Sequence, residues 1–101
     1  MRTSTIAKHR TGGRDSAFAK ALGHEIRQRR EAMGLTQTSA AGPLTRAFVS
    51  SVESGRLTPS LSSLLIIARR LNTSAATILE AVELHLEARD SGNQDKTDLT
   101  R

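Results

Sequence analysis

Residues 36–55 read TQTSAAGPLTRAFVSSVESG. Thr36 and Thr45 are good N-cap residues, because a threonine hydroxyl can accept a hydrogen bond from a free amide of the first helical turn. Gly42-Pro43 must end the first of the two helices, since proline has no N–H and its ring clashes with the preceding turn. Gly55 closes the second helix with a residue suited to the left-handed C-terminal position. The stretch therefore reads as two short adjacent helices joined by a tight turn at Ala41-Gly42-Pro43-Leu44, the sequence form of a helix-turn-helix. On a helical wheel the second helix puts Val49, Val52 and Glu53 on one side. Ala47, Ser50 and Ser51 fall on the other, with Arg46 on the first exposed turn. That exposed side is small and polar with one Arg, a surface that can enter a DNA major groove without bulk in the way. Short polar helix faces are common, so this periodicity alone does not assign a function.

Working outward, no segment of residues 16–89 alternates with period two, and several repeat at helical spacing. A first helix is predicted from about Ser16 to Met33, with an apolar stripe of Phe18, Ala19, Leu22, Ile26 and Met33 ended by Gly34. After Thr58-Pro59-Ser60, where a hydroxyl can cap, the predicted stripe is Leu61, Leu64, Leu65, Ala68 and Leu71, stopped by Asn72. Ser74 caps a last helix with Ala75, Ile78, Leu79, Val82 and Leu86, reaching about Arg89. Five short helices with tight connections make a compact all-α domain.

The 101 residues leave room for one domain. Its core must be built from Leu, Ile, Val and Ala, because Phe is the only aromatic and occurs twice. The absence of cysteine excludes disulfide scaffolds, thiolate metal sites and cysteine nucleophiles. The longest purely apolar run, Leu64 to Ala68, is far too short to span a membrane, and the N-terminus has no secretory apolar region. The expected location is the cytoplasm, on the nucleoid. His9, His24 and His85 show no metal-ligand spacing, and no carboxylate constellation or glycine-rich phosphate loop is present. No enzyme activity, metal or cofactor is expected.

The net charge of +5 favours an anionic partner such as nucleic acid. Residues 1–15 carry four basic residues against Asp15 and almost no apolar content, and read as a disordered basic N-terminal arm. Residues 90–101, with three Asp against Lys96 and Arg101, read as a disordered tail. The domain proper is predicted at 16–89.

From Leu22 to Leu79 the chain resembles the phage-repressor-like, or Xre-like (Cro/CI-type), helix-turn-helix family. The matching pieces are Leu22-Gly23-x-x-Ile26-Arg27-x-x-Arg30, Gly34-Leu35-Thr36-Gln37, the run from Thr45 to Gly55, Pro59-Ser60-Leu61, and Leu64-x-x-Ile67-Ala68-x-x-Leu71-x-x-Ser74. The resemblance implies a five-helix repressor-like DNA-binding domain, a transcriptional regulator usually acting as a dimer on a roughly palindromic operator. One departure stands out. From Gln37 to Val49 the chain is two residues shorter than the usual pattern, and Pro43 sits where the second helix would continue. A truncated second helix is expected, with the turn carried by Gly42-Pro43.

Arg30 lies on the edge of the first helix's stripe, and Glu53 lies beside Val49 and Val52 on the inward side of the third helix. A charge drawn into a core is costly unless paired, so the two are expected to form an ion pair that fixes a helix crossing. The matching positions of the resembled family pair in this way. By the same resemblance Gln37 reaches a phosphate or a base edge. Arg46 is the long donor of the reading face and could contact guanine or clamp a phosphate. Ala47 can touch a thymine methyl, and Ser51 can give or take one hydrogen bond. Phe48 is expected to pack beside the second helix. Arg56, just after the turn glycine, suits a phosphate contact, and Thr36, Thr45 and Ser50 are further candidates for that role.

A lone domain of this size covers one half-site, so a homodimer is expected. Ile66 and Leu84 fall outside their helices' stripes, and together with Leu86 they are the candidate interface. The leading expectation is a sequence-specific regulator of double-stranded DNA. Two alternatives are an antitoxin whose main partner is a toxin protein, and a protein-bridging adaptor that uses the same fold. No effector domain follows in the sequence, so small-molecule sensing within this chain is not expected.

Overall fold

The computed structural model describes the backbone of residues 13–99 and the side chains of residues 16–90. Its order is α1 (Gly13–Ala32), α2 (Gln37–Ala41), α3 (Arg46–Glu53), α4 (Leu61–Arg70) and α5 (Ala75–Leu99). No strand occurs among the described residues.

Each expected start signal operates. Thr36 accepts from the Ser39 amide, Thr45 from Phe48, Ser60 from Ser63 and Ser74 from Thr77, at 3.0–3.2 Å. Every one of these oxygens satisfies an amide that the helix leaves free. The ends of α1, α3 and α4 share one solution. A residue at positive φ (Gly34, Gly55 or Asn72) lets the following amide return to a carbonyl of the last turn: Leu35 to Arg30, Arg56 to Ser51 and Thr73 to Ala68.

α1 and α5 pack together, and α1 also crosses α3; α2 lies against α3 and α4, and α4 against α5. Leu22 and Ile26 of α1, Val49 and Val52 of α3, Ile67 of α4, and Ile78 and Val82 of α5 are fully buried. Phe48 is half-buried against this core, as do Leu79 and Leu86.

Four details of the sequence reading are corrected. The buried residues are Leu64, Ile67 and Ala68 of α4 and Leu71 just after it, while Leu61 and Leu65 are 71% and 53% exposed. The helix carries apolar residues at 61, 64, 65, 66, 67 and 68, enough for two overlapping stripes, and the position of α4 against α2 and α5 selects between them. Met33 lies beyond the end of α1 and is 46% exposed, so it is not part of the core stripe. The last helix does not end near Arg89 but continues through Leu99. Apart from Leu99, residues 90–99 carry no apolar side chain, yet they hold no proline and a single glycine, so nothing in the backbone interrupts the helix. At the other end, residues 13–15 belong to α1; the rest of the expected arm, residues 1–12, lies outside the described residues.

Candidate nucleic-acid interface

The turn between α2 and α3 follows from Gly42-Pro43. Gly42 has φ 58° and ψ −122°, the values of the first central residue of a type II′ turn, which is a glycine position. The Leu44 amide donates to the Ala41 carbonyl at 2.9 Å and closes the turn. Proline next to Gly42 supplies a fixed φ and ends α2 after five residues. The truncated second helix expected from the sequence is therefore present.

α3 stands on a dry inner face and a wet outer one. Val49 and Val52 are fully buried, Arg46 and Ala47 are exposed, and Ser50 and Ser51 are half-buried. Among the described residues, no carboxylate lies within 4.0 Å of the Arg46 or Arg56 guanidinium. Among the described residues, both cations are thus available to an anionic partner. Thr45 spends its lone pair on the cap and keeps its hydroxyl proton, whereas the Thr36 hydroxyl is turned to Ser39 Oγ at 3.1 Å.

The orientation of α3 is set from behind by a polar knot. Arg30 Nε donates to Glu53 Oε2 at 2.7 Å and Nη2 donates to Oε1 at 3.1 Å, a forked pair. Its Nη1 donates to the Leu35 carbonyl at 2.8 Å, so the same guanidinium grips the chain entering α2. Gln37 Nε2 completes the knot by donating to Glu53 Oε1 at 3.0 Å. The Arg30 and Glu53 side chains are only 12% and 4% exposed, and no buried side-chain polar atom among the described residues lacks a partner. The hydrogen bond to Glu53 raises the Arg30 pKa above the ordinary arginine value. Burial opposes this, and the charges of Glu53 and Glu31 add to it. The knot ties α1, α2 and α3 together and holds Gln37 with its amide nitrogen facing Glu53. Gln37 is thereby a strut of the α2–α3 corner, with its amide oxygen left for any outer contact.

Two supports were not read from the sequence. Gly23 lies where α1 passes the end of α3. A Cβ at this position would sit 2.3 Å from the Val52 carbonyl oxygen and 2.5 Å from that of Glu53. Glycine in the middle of a helix costs roughly 1 kcal/mol relative to alanine, which is the signal that a close approach requires it. The second support is Arg70, at the last turn of α4. Its Nε and Nη2 donate to the Ser39 carbonyl of α2 at 3.1 and 2.9 Å. One Arg in a row of two at a helix end has no sequence signature for that role.

Of the residues expected at an interface between copies, Leu84 is 59% exposed and Ile66 is half-buried; Leu86 packs in part on its own chain's core. No described helix is long and apolar enough to cross a membrane.

A short capped helix, a tight turn and a second helix with one face in the core and one outside make up a helix-turn-helix unit within a five-helix domain. The family model described as "Helix-turn-helix domain" matches residues 21–81, and the chain belongs to that family. No curated protein matches the chain. Among solved structures it is similar to the clp gene regulator ClgR of Corynebacterium glutamicum, with a TM-score of 0.68 at 24% identity, covering 81% of this chain and 88% of that one. A second structure of that regulator has a TM-score of 0.60 at 26% identity, covering 65% and 88%. The restriction-modification controller protein C.AhdI of Aeromonas hydrophila has a TM-score of 0.60 at 31% identity, covering 62% of this chain and 94% of that one.

Proposed function

We propose that the protein is a sequence-specific transcription regulator that places α3 in the major groove of double-stranded DNA. The observation that carries this reading is the outer face of α3. It is free of bulky groups, opens on a Thr45-capped end, and presents Arg46 with no carboxylate partner among the described residues. The resemblance to proteins named as a gene regulator and a controller protein supports it.

In this reading Arg46, Ala47 and Ser51 meet base edges. Arg56 and the hydroxyls of Thr45 and Ser50 meet phosphates, and Thr36 and Gln37 lie at the border of the site. Arg46→Ala is expected to weaken operator binding by about 1–3 kcal/mol and to relax preference at one base position. Titrations of operator variants by the two proteins check this. Equal loss on every sequence would make Arg46 a phosphate clamp, and no loss on any would remove α3 from the interface.

The operator is proposed to be a two-fold site read by a homodimer, because one short helix discriminates few bases and a second copy about 34 Å away doubles the contacts. Leu84 is the most exposed large apolar residue of α5 among those described, which makes it the first residue to test. Sedimentation of Leu84→Glu is expected to show a monomer with weakened operator binding. An unchanged mass and affinity would put the interface elsewhere.

A further inference from the structure

We infer that Arg70 is a positioning residue of the helix-turn-helix, doing for the shortened α2 what a backbone amide does in an uninterrupted helix. In an α-helix the Ser39 carbonyl would accept from the amide four residues later. That residue is Pro43, which has no N–H. The Ser39 carbonyl instead accepts twice from Arg70, through Nε at 3.1 Å and Nη2 at 2.9 Å, across 31 residues of sequence. A guanidinium fork supplies two donors in fixed geometry, and hydrogen bonds from a charged donor are stronger than neutral ones.

The same side chain lies over the turn. A Cβ built on Gly42 would be 3.1 Å from Arg70 Cδ and 3.2 Å from its Nε, so Arg70 rests on the residue whose positive φ makes the turn. An isolated helix of five residues does not hold itself together, because nucleation fixes several dihedrals for a single hydrogen bond. α2 is therefore fixed from outside at both ends. Thr36 caps its start and the Glu53–Gln37 contact ties its first turn to α3. Arg70 ties its last turn to α4. Losing Arg70 frees the α2–turn corner while leaving the core residues of α4 in place, and the corner sets how α3 is presented.

This inference rests on the DNA-reading proposal for its functional consequence but not for its structural one, so the test has two readouts. The variants are Arg70→Met, which keeps the stem and removes the fork, Arg70→Lys, and Arg69→Met. Arg69 is an exposed neighbour that loses the same charge. In the free protein, amide hydrogen exchange at Ala40 and Leu44 is expected to speed up about five- to tenfold in Arg70→Met. Exchange at Ile78 and Val82 of α5 should be unchanged, Arg70→Lys intermediate, and Arg69→Met like the parent.

On DNA, Arg70→Met is expected to lose about five- to tenfold in the ratio of operator to random-duplex affinity. Its salt dependence should stay unchanged, because the guanidinium is not a phosphate contact. Unchanged exchange at Ala40 and Leu44 would overturn the inference. So would an unchanged affinity ratio, or a salt slope smaller by about one with equal loss on all duplexes, the mark of a phosphate ligand. If the parent protein prefers no duplex over another, the DNA-reading proposal fails by itself, and the exchange result alone decides the role of Arg70.

Discussion

Glu53→Ala is expected to destabilise the fold by roughly 3–5 kcal/mol, the cost of leaving one partner of a buried ion pair without the other. The size follows from what is stranded. Arg30 would keep one hydrogen bond, to the Leu35 carbonyl, and the more distant Glu31 carboxylate at 3.9 Å, with two of its three hydrogen bonds gone, in a site where its side chain is 12% exposed. The Gln37 amide would lose its acceptor as well. Arg30→Met is expected to cost a similar amount by stranding the carboxylate. Replacing both by apolar residues should cost less than the sum, because a buried pair is often near neutral against a packed apolar isostere. Urea unfolding of the two single variants and the double variant gives the coupling directly, and a coupling near zero would show that the pair does not interact.

The contribution of Arg30 does not vary with pH across the neutral range. A cation whose pKa is raised on folding contributes stability that is complete below its unfolded pKa and lost only as pH rises through the folded value. For Arg30 the ordinary value is already far on the basic side of neutrality and folding raises it further, so neither is reached there.

The second large effect is expected at Gly23. Alanine at this helical position would ordinarily gain roughly 1 kcal/mol over glycine. Here its Cβ would meet the Val52 and Glu53 carbonyl oxygens and the Glu53 carbonyl carbon at 2.3, 2.5 and 2.8 Å. All three are backbone atoms, so no side-chain rotation relieves the clash and α1 must move away from α3. Overpacking of this kind costs roughly 1–3 kcal/mol, and rigid neighbours put the cost at the upper end. The net loss is expected to be about 2 kcal/mol, a fall in Tm of about 8–16 °C for a domain of this size. Since α1 is the support on which α3 and its exposed face are seated, operator affinity should fall with it. A melting temperature equal to or above the parent's would mean that α1 and α3 do not approach at this point.

The elements were legible because their boundaries rest on local chemistry. Thr36, Thr45, Ser60 and Ser74 cap where hydroxyls precede apolar periodicity, and Pro43 stops α2 because it lacks an N–H. The Arg30–Glu53 pair was legible for a related reason. Two opposite charges on inward helix faces need each other, whatever the details of packing. What stayed hidden depends on tertiary position. The choice between Leu61/Leu65 and Ile67 for the α4 core is undetermined by a helix with apolar residues on much of its surface. Arg70 looks like any basic residue at a helix C-terminus until α2 is brought beside it. The polar stretch after Arg89 reads as a disordered tail, yet polarity by itself does not break a helix, and residues 90–99 hold no proline and a single glycine.

The central proposal is that the outer face of α3 reads DNA sequence, and selection of bound duplexes from a random pool, followed by footprinting of the winners, tests it most directly. The expected result is one consensus with two inverted half-sites, their centres about 10 base pairs apart. Protection should fall in adjacent major grooves on one side of the duplex. A pool that stays random after repeated selection, or a consensus that survives unchanged when Arg46, Ala47 and Ser51 are all replaced, would contradict it.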